Sequence, residues 1–313
     1  MPGENLCSLC REPAVVRLVE PERRLCAAHF IDDVEARVLA AMTRERMVSP
    51  GDRVAVGLSG GKDSTALLLL LHRFLPALNA SLVAVTVDEG IAGYREGTSA
   101  AARDLTSELG VEHSIVTFAD LFGDDLDRLL VGREAQGCTV CGVLRRRALA
   151  EAVKQVGVTK LATGHNLDDE AQSALMNVLR GDLSRLLQDT STGQPGHFIP
   201  RIKPLAVLSE KEIVTYLLLR GYFRDLPECP YASTALRSEV RTMLAGLEHR
   251  HPGTMLRLMQ FREGVRQSAR SAEPKGSPGS CRICGELSTG EVCQACRLLE
   301  RDKSPRSSAG GRR

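Results

Sequence analysis

The sequence lacks an apolar run long enough to cross a membrane. The longest such run, Ala66 to Leu71, ends at His72, far short of the roughly 20 apolar residues that a membrane-spanning helix needs. The first residues, Met1 to Asn5, also lack the basic segment and the apolar core of a secretory signal. We therefore predict a cytoplasmic protein with no membrane partner.

The chain as a whole also has little net charge, but that charge is unevenly distributed. The formal total is +2, and between residues 231 and 313 there are 15 Lys and Arg against 8 Asp and Glu. This end is therefore the better candidate for contacting phosphates. A solvated basic tail is the plainer interpretation, and the charge alone does not decide between the two.

The ten cysteines favour metal ligation or redox chemistry, because a reducing cytosol does not sustain structural disulfides. Two sets, one near each end of the chain, have the spacing of zinc ligands. These sets are Cys7, Cys10, Cys26 and His29, and Cys281, Cys284, Cys293 and Cys296. Each set fills a tetrahedron and leaves no open position, so the sequence predicts two structural zinc ions.

Strand-like and helix-like segments alternate through the middle of the chain. Strands are predicted at 53–58, 82–87, 113–118 and 160–163, and helices at 32–47, 65–72, 98–109 and 145–156. This order predicts an α/β fold with a mostly parallel sheet. The turns that contain Ser59, Asp88 and Gly164 then meet in one crevice beyond the carboxyl ends of the strands, where such sheets bind ligands.

The glycine loop after the first strand has the composition of an anion site but not the spacing of a Walker loop. Its small residues let backbone amides approach phosphate oxygens, and the helix that follows offers its positive N-terminus. Counting from Gly57, Lys62 stands where a Walker loop needs its second glycine. A chance glycine-rich turn is the alternative.

The residues of this loop resemble the PP-loop of ATP pyrophosphatases. They are Ser59, Gly60, Gly61, Lys62, Asp63 and Ser64. In the chemical interpretation, the loop amides with Ser59 and Ser64 hold pyrophosphate. Lys62 then offsets the charge of that group, and Asp63 helps to hold magnesium.

Three cysteines remain outside the terminal sets: Cys138, Cys141 and Cys229. The first two form a CxxC pair just before the predicted helix at 145–156. Three thiolates are incomplete for structural zinc, but they suit a 4Fe-4S cluster with one iron left open, or a redox pair with a third cysteine that carries a persulfide. A buried cysteine and an unrelated CxxC pair are the alternative.

Together, the glycine loop and these cysteines resemble the PP-loop tRNA 2-thiolases of the TtcA/TtuA superfamily. Three further motifs are most similar to the eukaryotic and archaeal cytoplasmic wobble-uridine thiolases: VDEGIAGYR at 87–95, CGVLRRR at 141–147 and NVLRGD at 177–182. The resemblance covers nearly the whole chain. It implies a PP-loop fold, which is adenine nucleotide alpha-hydrolase-like and Rossmann-like, with zinc-binding modules at both ends.

The same resemblance implies cofactors and site residues. The cofactors are ATP, magnesium, two zinc ions and an oxygen-sensitive 4Fe-4S cluster on Cys138, Cys141 and Cys229. Asp168 or Asp169 is implied at the reacting base, and the nucleotide is implied to lie near Asp88, Gly164, His165 and Asp169. Relatives of the TtuA type carry a catalytic Lys at the position of Arg145. Because Arg is essentially always protonated, Arg145 is expected to stabilise charge and not to carry a proton.

The predicted function is therefore 2-thiouridine synthesis at the wobble position of tRNA. ATP adenylates the C2 carbonyl, sulfur replaces its oxygen, and AMP and pyrophosphate leave. The alternatives are the same chemistry at a T-loop uridine or an anticodon-loop cytidine, lysidine synthesis, which needs no thiolates, and a non-catalytic zinc-ribbon RNA-binding subunit. The partners expected are tRNA, a ubiquitin-like thiocarboxylate carrier or free sulfide, and a second copy or a homologue in a dimer.

Composition and motifs also predict the order of domains. They place an N-terminal zinc module at 1–31, a linking helix at 32–50 and the PP-loop catalytic domain at 51–267. A linker rich in Ser, Pro, Gly and charge follows at 268–280, then a zinc ribbon at 281–303 and a disordered tail at 304–313.

Overall fold

The computed structural model of the chain describes residues 5–19, 21–187, 199–227, 229–231, 236–269, 279–288 and 290–302. The predicted tail at 304–313 and most of the predicted linker at 268–280 lie outside the described residues. Within these ranges, no helix combines the length and the apolarity that a membrane crossing requires.

A parallel sheet of five strands forms the centre of the described chain. The strands are β3 (Arg53–Gly57), β4 (Ser81–Asp88), β5 (Glu112–Thr117), β6 (Lys160–Ala162) and β7 (Arg201–Ile202). They lie in the order β5-β4-β3-β6-β7, and every neighbouring pair is parallel. Strand order reverses between β3 and β6, and ligands bind beyond the carboxyl ends of strands at such a switch point. The predicted α/β class is confirmed.

Helices cover both faces of this sheet. α1 (Ala27–Arg44), α2 (Lys62–Phe74) and α3 (Arg95–Leu109) pack on one face, and α6 (Gly137–Gln155) packs on the other. Because successive side chains of a strand point to opposite faces, Val54 and Val56 of β3 join the first core and Ala55 joins the second. Helix α2 on the first face and helix α6 on the second both begin at the carboxyl edge of the sheet.

Shorter helices complete the central region, and small modules occupy its ends. The remaining central helices are α4 (Phe118–Phe122), α5 (Leu126–Leu129), α7 (Leu167–Leu179), α8 (Leu183–Leu187), α9 (Glu210–Arg220), α10 (Leu236–Arg250) and α11 (Thr254–Ala269). At the N-terminal end, β1 (Val16–Val19) and β2 (Glu22–Leu25) form a hairpin before α1. At the other end, β8 (Gly279–Ser280), β9 (Leu287–Ser288) and α12 (Gln294–Asp302) form a module that packs on α6.

Four helices begin earlier than the sequence pattern predicts: α2 and α3 by three residues each, and α1 and α6 by more. α1 begins at Ala27 and not at residue 32, because Phe30 extends its buried apolar side toward the N-terminal module. α6 begins at Gly137, and its first turns are buried through Val140 and Cys141. The prediction that the CxxC pair precedes this helix is therefore wrong. Cys138 and Cys141 lie three residues apart within it, a spacing that places side chains on one helix face.

Candidate functional site

The glycine loop closes tightly between β3 and α2. The Ser64 hydroxyl donates to the carbonyl of Gly61 at 2.9 Å and accepts from the backbone N–H of Ser59 at 3.1 Å. Gly60 has a φ of 84°, which favours glycine. A Cβ there would lie 2.0 Å from the carbonyl oxygen of Thr98. The loop is thus fixed by its own hydroxyls, and α3 approaches it too closely for any other residue at position 60.

Lys62, at the start of α2, lies between two carboxylates. Its Nζ is 3.1 Å from Asp63 Oδ2 and 3.0 Å from Glu210 Oε1. Burial alone lowers the pKa of Lys62, but Asp63 and Glu210 outweigh it and hold that pKa above its usual range. Lys62 therefore stays charged, as a group that neutralises phosphate must. Asp63 and Glu210 thus place two carboxylates beside Lys62, at the start of α2. Carboxylate oxygens are ligands that could hold a magnesium ion there.

The loop after β6 reaches the glycine loop directly. A Cβ on Gly164 would lie 3.1 Å from the backbone nitrogen of Ser64, so glycine permits this close approach. Asn166, the N-cap of α7, donates from Nδ2 to Asp63 Oδ1 at 2.9 Å. The neighbouring His165 is exposed and contacts Thr163 Oγ1 at 2.9 Å. The convergence predicted for these two turns is present.

Asp168 and Asp169 have different partners. Asp168 Oδ2 accepts from the backbone N–H of Glu210 at 2.8 Å, which ties α7 to the start of α9. Asp169 completes the capping box with Asn166 and lies 3.6 Å from Arg237. Burial raises the pKa of both carboxyls. Asp168 thus joins α7 to α9, whereas Asp169 lies beside the guanidinium of Arg237.

The strand β4 ends at Asp88, the third turn predicted for the crevice. Asp88 Oδ1 accepts from the backbone N–H of Gly90 at 2.9 Å. It lies 3.6 Å from Nε of Arg95, whose NH2 group donates to the carbonyl of Val87 at 2.6 Å. Another nitrogen of this guanidinium donates to the carbonyl of Ser59 at 3.2 Å. Arg95 therefore joins the turn after β4 to the glycine loop.

The three remaining cysteines lie near the start of α6. The Cys138 thiol donates to the carbonyl of Tyr231 at 2.8 Å, two residues beyond Cys229. Burial raises the pKa of Cys138 and raises that of Cys141 to about 11, and in both cases the neighbouring charge of Cys229 raises the pKa further. Cys229 packs against the apolar cluster that contains Cys141, and the bond from Cys138 to Tyr231 brings the segment of Cys229 to the start of α6. A bound metal would reverse these shifts, because it favours the thiolate.

An ionic chain, buried at Glu89 and Arg95 and half-exposed at Arg145, joins these thiols to the nucleotide loop. NH2 of Arg145 donates to Cys141 Sγ at 3.2 Å, and Nε of Arg145 is 2.5 Å from Glu89 Oε1. Glu89 is only 2% exposed, and its second oxygen lies 3.1 Å from Nε of Arg95. Arg95 in turn contacts the carbonyl of Ser59. Three side chains, those of Arg95, Glu89 and Arg145, therefore connect the glycine loop with a cysteine of the trio.

Comparisons with known proteins agree with this geometry. A family model described as a PP-loop domain matches residues 28–229. The chain is 41% identical to cytoplasmic tRNA 2-thiolation protein 1 of Bos taurus, over 96% of this chain and 88% of that protein. It is 38% identical to tRNA 2-thiolation protein NcsA of Haloferax volcanii, over 94% of this chain and 98% of that protein. The chain belongs to the PP-loop family of cytoplasmic tRNA 2-thiolation proteins.

A solved member of this tRNA 2-thiolation family has the same fold. It is the U34-tRNA thiolase NcsA from Methanococcus maripaludis, described with its 4Fe-4S cluster. The two chains superpose with a TM-score of 0.83 at 33% identity, over 96% of this chain and 97% of the other. The family resemblance and the PP-loop fold predicted from the sequence are both confirmed.

The terminal cysteine sets of this family member are assembled as the spacing predicts. The ligand atoms of Cys7, Cys10, Cys26 and His29 all lie within 4.8 Å of one another, and so do those of Cys281, Cys284, Cys293 and Cys296. In the second set, the backbone N–H of Cys293 donates to Cys281 Sγ at 3.2 Å and lowers the pKa of Cys281 to about 6. Both groups are ready to hold one metal ion each; zinc, with four ligands and no open position, is the ion that we predict.

Sequence reasoning missed four residues that organise the thiolase family site: Glu89, Arg95, Asn166 and Glu210. Glu89 and Arg95 stand inside the VDEGIAGYR motif, so that motif contained the signal for their position. Asn166 follows Gly164 and His165 and precedes a helix, which is the place of an N-cap. Glu210 gave no signal, because it is brought to Lys62 from a helix almost 150 residues later in the chain.

Proposed function

We propose that this protein makes 2-thiouridine at the wobble position of tRNA, using ATP to activate the C2 carbonyl. The observation that carries the proposal is the shared edge of the sheet. The glycine loop and the cysteine trio both lie there, joined by Arg95, Glu89 and Arg145. A site for a triphosphate and a site for sulfur beside one base is the arrangement that such a reaction needs.

In the first step, the O2 atom of uridine attacks the α-phosphorus of ATP, and pyrophosphate leaves. The amides and hydroxyls at Ser59, Gly60, Gly61 and Ser64 hold the leaving phosphates, and Lys62 neutralises their charge. Asp63 is assigned to magnesium, while Asp88, Gly164 and His165 lie beside the nucleotide. Asp169, whose pKa is raised by burial, is placed to take the N3 proton of uridine as O2 forms its bond to phosphorus.

In the second step, sulfur at the level of hydrosulfide attacks C2, and O2 departs as part of AMP. Asp169 returns its proton to N3, and the hydrosulfide proton is released to solvent as the C2–S double bond forms and AMP departs. Cys138, Cys141 and Cys229 are the ligands that we assign to a 4Fe-4S cluster, which would supply an iron to carry the sulfur. The fit is good because three neighbouring thiols leave one iron of such a cluster without a protein ligand.

Arg145 is assigned to charge stabilisation in this mechanism. Burial alone lowers its pKa, but the carboxylate of Glu89 holds the pKa of Arg145 above its ordinary value. A guanidinium in that state does not exchange protons during turnover. It stabilises the negative charge that develops at Cys141 or at the incoming sulfur.

We further propose that the protein acts in the cytoplasm, with tRNA as substrate and a ubiquitin-like thiocarboxylate carrier or sulfide as sulfur donor. A dimer, with a second copy or a homologue, is part of the same proposal. The names of its relatives, which are called cytoplasmic tRNA 2-thiolation proteins, support this location. The cysteine trio argues against lysidine synthesis, and an intact glycine loop argues against a non-catalytic RNA-binding subunit.

The test is reconstitution without oxygen. Protein purified anaerobically with iron, sulfide and zinc determined is incubated with ATP, a sulfide source and an unmodified tRNA transcript, and nucleosides are read by mass spectrometry. We expect 2-thiouridine and AMP to form together, and Cys138→Ala to form neither 2-thiouridine nor sulfur-dependent AMP. Full thiolation by Cys138→Ala would overturn the proposal. Mapping the modified nucleotide separates the wobble position from a T-loop uridine or an anticodon-loop cytidine.

A further inference from the structure

A cavity beside α6 has a strongly basic lining. It has a volume of about 620 Å³ and lies between α6, the edge strand β7 and the C-terminal metal module. Six cationic side chains line it: Arg146, Arg147, Lys154, Arg185, Arg201 and Arg297. The lining contains one carboxylate, Glu286, which is already paired with Lys154.

The arginines of this basic cavity are held close to one another. Burial lowers the pKa of Arg201, and the charge of Arg146 lowers it further. Burial also lowers the pKa of Arg146, and the charges of Arg185 and Arg145 add to that effect. Within the described part of the chain, neither Arg146 nor Arg201 has a carboxylate partner. These like charges therefore destabilise the folded state, and an anion bound in the cavity would reduce their repulsion.

The form of the lining indicates which anion fits. Guanidinium groups present paired N–H donors that match the oxygens of a phosphate. No Phe, Tyr or Trp belongs to the lining, so the cavity offers no aromatic ring on which a base can stack. A cavity with many phosphate donors and no aromatic surface suits a nucleic-acid backbone and not its bases.

The position of the cavity connects it with the reaction. Arg146 directly follows Arg145, and it stands five residues after Cys141, which is about 7.5 Å along a helix. One RNA strand can therefore pass from the cysteine site to the cavity along the same helix. The metal module forms one wall through Gln294 and Arg297, so its docking on α6 creates the cavity.

We propose that this basic cavity binds backbone phosphates of the tRNA substrate and holds the RNA while its target uridine occupies the cleft. This inference rests on the proposed function. Contacts to phosphate fix the register of a nucleic acid without reading its sequence. The metal module then contributes to substrate binding by completing the cavity wall, while the chemistry stays at the cleft.

The test measures the salt dependence of tRNA binding by Arg146→Gln/Arg201→Gln. Each phosphate contact contributes a slope of about 0.7 to 0.9 to the dependence of log K on log salt. We expect the slope to fall by about 1 to 2 and the dissociation constant of a tRNA transcript to rise about tenfold at moderate salt. ATP affinity and metal content should stay at wild-type values. Arg201→Lys, which keeps the charge, should retain the wild-type slope.

The matched control is Arg44→Gln/Arg53→Gln, which removes the same charge from the exposed end of α1 and from the half-buried start of β3. An equal loss of slope in this control would overturn the proposal, because the effect would then follow net charge. An unchanged slope in the cavity variant would also overturn it. If that variant instead lost only sulfur transfer from a protein carrier, the cavity would bind an acidic protein surface. If the cavity variant lost only its affinity for inorganic phosphate, measured at matched ionic strength, the cavity would be a site for the free anion.

These outcomes are independent of the proposed activity. A wild-type protein that fails to thiolate tRNA, while its cavity variant still loses affinity for tRNA, would remove the proposed function and keep the phosphate site. If the wild-type protein thiolates tRNA and the cavity variant binds and thiolates it normally, the proposed function would stand and the phosphate site would be removed.

Discussion

The chain contains two kinds of cysteine site, and their geometry differs. In each terminal set, four ligand atoms lie within 4.8 Å of one another, as ligands of a single ion must. Cys138, Cys141 and Cys229 supply only three thiols, and in the described part of the chain they do not form so tight a group. The first arrangement encloses an ion; the second leaves room for a larger group with an open position.

The surroundings of the two kinds of site differ in the same direction. In the C-terminal set, Cys281 accepts a hydrogen bond from the backbone of its own module. In the central trio, Cys141 accepts from Arg145, which belongs to an ionic chain that ends at the nucleotide loop. The terminal sites are thus built to organise their own segments, whereas the central site is connected to the place where ATP binds. Loss of a ligand should separate these roles.

The largest effect is expected from Cys229→Ser. Removing one of three thiolates should lower thiolation about a thousandfold, which corresponds to roughly 4 kcal/mol, because the remaining pair cannot hold the cluster in place. Metal analysis should still find two zinc ions per chain, and ATP affinity should be unchanged. A variant that lost both zinc ions together with activity would erase the distinction between the two kinds of site.

Cys284→Ser tests the other side of the comparison. It should release one zinc ion and unfold the C-terminal module, since a structural zinc contributes about 10 kcal/mol or more to the folding of a small module. We expect thiolation to fall about tenfold through weaker tRNA binding, because the module forms a wall of the basic cavity. Iron content should stay the same. Ser280→Ala, in the same module but not a ligand, is the control and should keep zinc and activity.

Glu89→Gln sharpens the comparison at the connection between cleft and thiols. The variant keeps the size of the side chain but removes the charge that anchors Arg145 and Arg95. Residues that orient a metal ligand typically contribute 10- to 100-fold, so we expect thiolation to fall by about that factor. The absorption or EPR spectrum of the cluster should shift, while ATP affinity stays near that of wild type. Glu96→Gln, an exposed neighbour on α3, should change neither.

The fold was largely predictable from the sequence, because its signals are local. The run at residues 53–58, the glycine loop and the apolar segment after it identify a strand, a turn and a helix without reference to the rest of the chain. The terminal metal sets were predictable for the same reason, because pairs such as Cys7 and Cys10, or Cys293 and Cys296, have the two-residue spacing of metal ligands. Helix starts were less predictable: the start of α6 depends on Val140 and Cys141 packing against the sheet.

The parts of the site that could not be predicted from the sequence are contacts between residues that are far apart along the chain. Glu210 reaches Lys62 from a helix that begins almost 150 residues later, and nothing near either residue marks the pair. The basic cavity likewise combines arginines from α6, β7 and α12, each of which looks like an ordinary solvated charge on its own element. Our proposal of Asp169 over Asp168 likewise depends on a contact between distant residues, because the backbone of α9 occupies the Asp168 carboxylate.

The smallest effect is expected from Arg145→Lys. The guanidinium of Arg145 contacts Cys141 and Glu89 through different nitrogens, and a single ammonium cannot reach both in the same geometry. It does keep the positive charge, however, and relatives of the TtuA type are expected to carry Lys here. We therefore expect thiolation within about fivefold of wild type for Arg145→Lys, and a loss of about a hundredfold for Arg145→Gln, which has no charge. If both variants lost activity equally, the two contacts of the guanidinium, and not its charge, would define its role. If neither lost activity, the central trio would work without the ionic chain, and its connection to the nucleotide loop would be structural only.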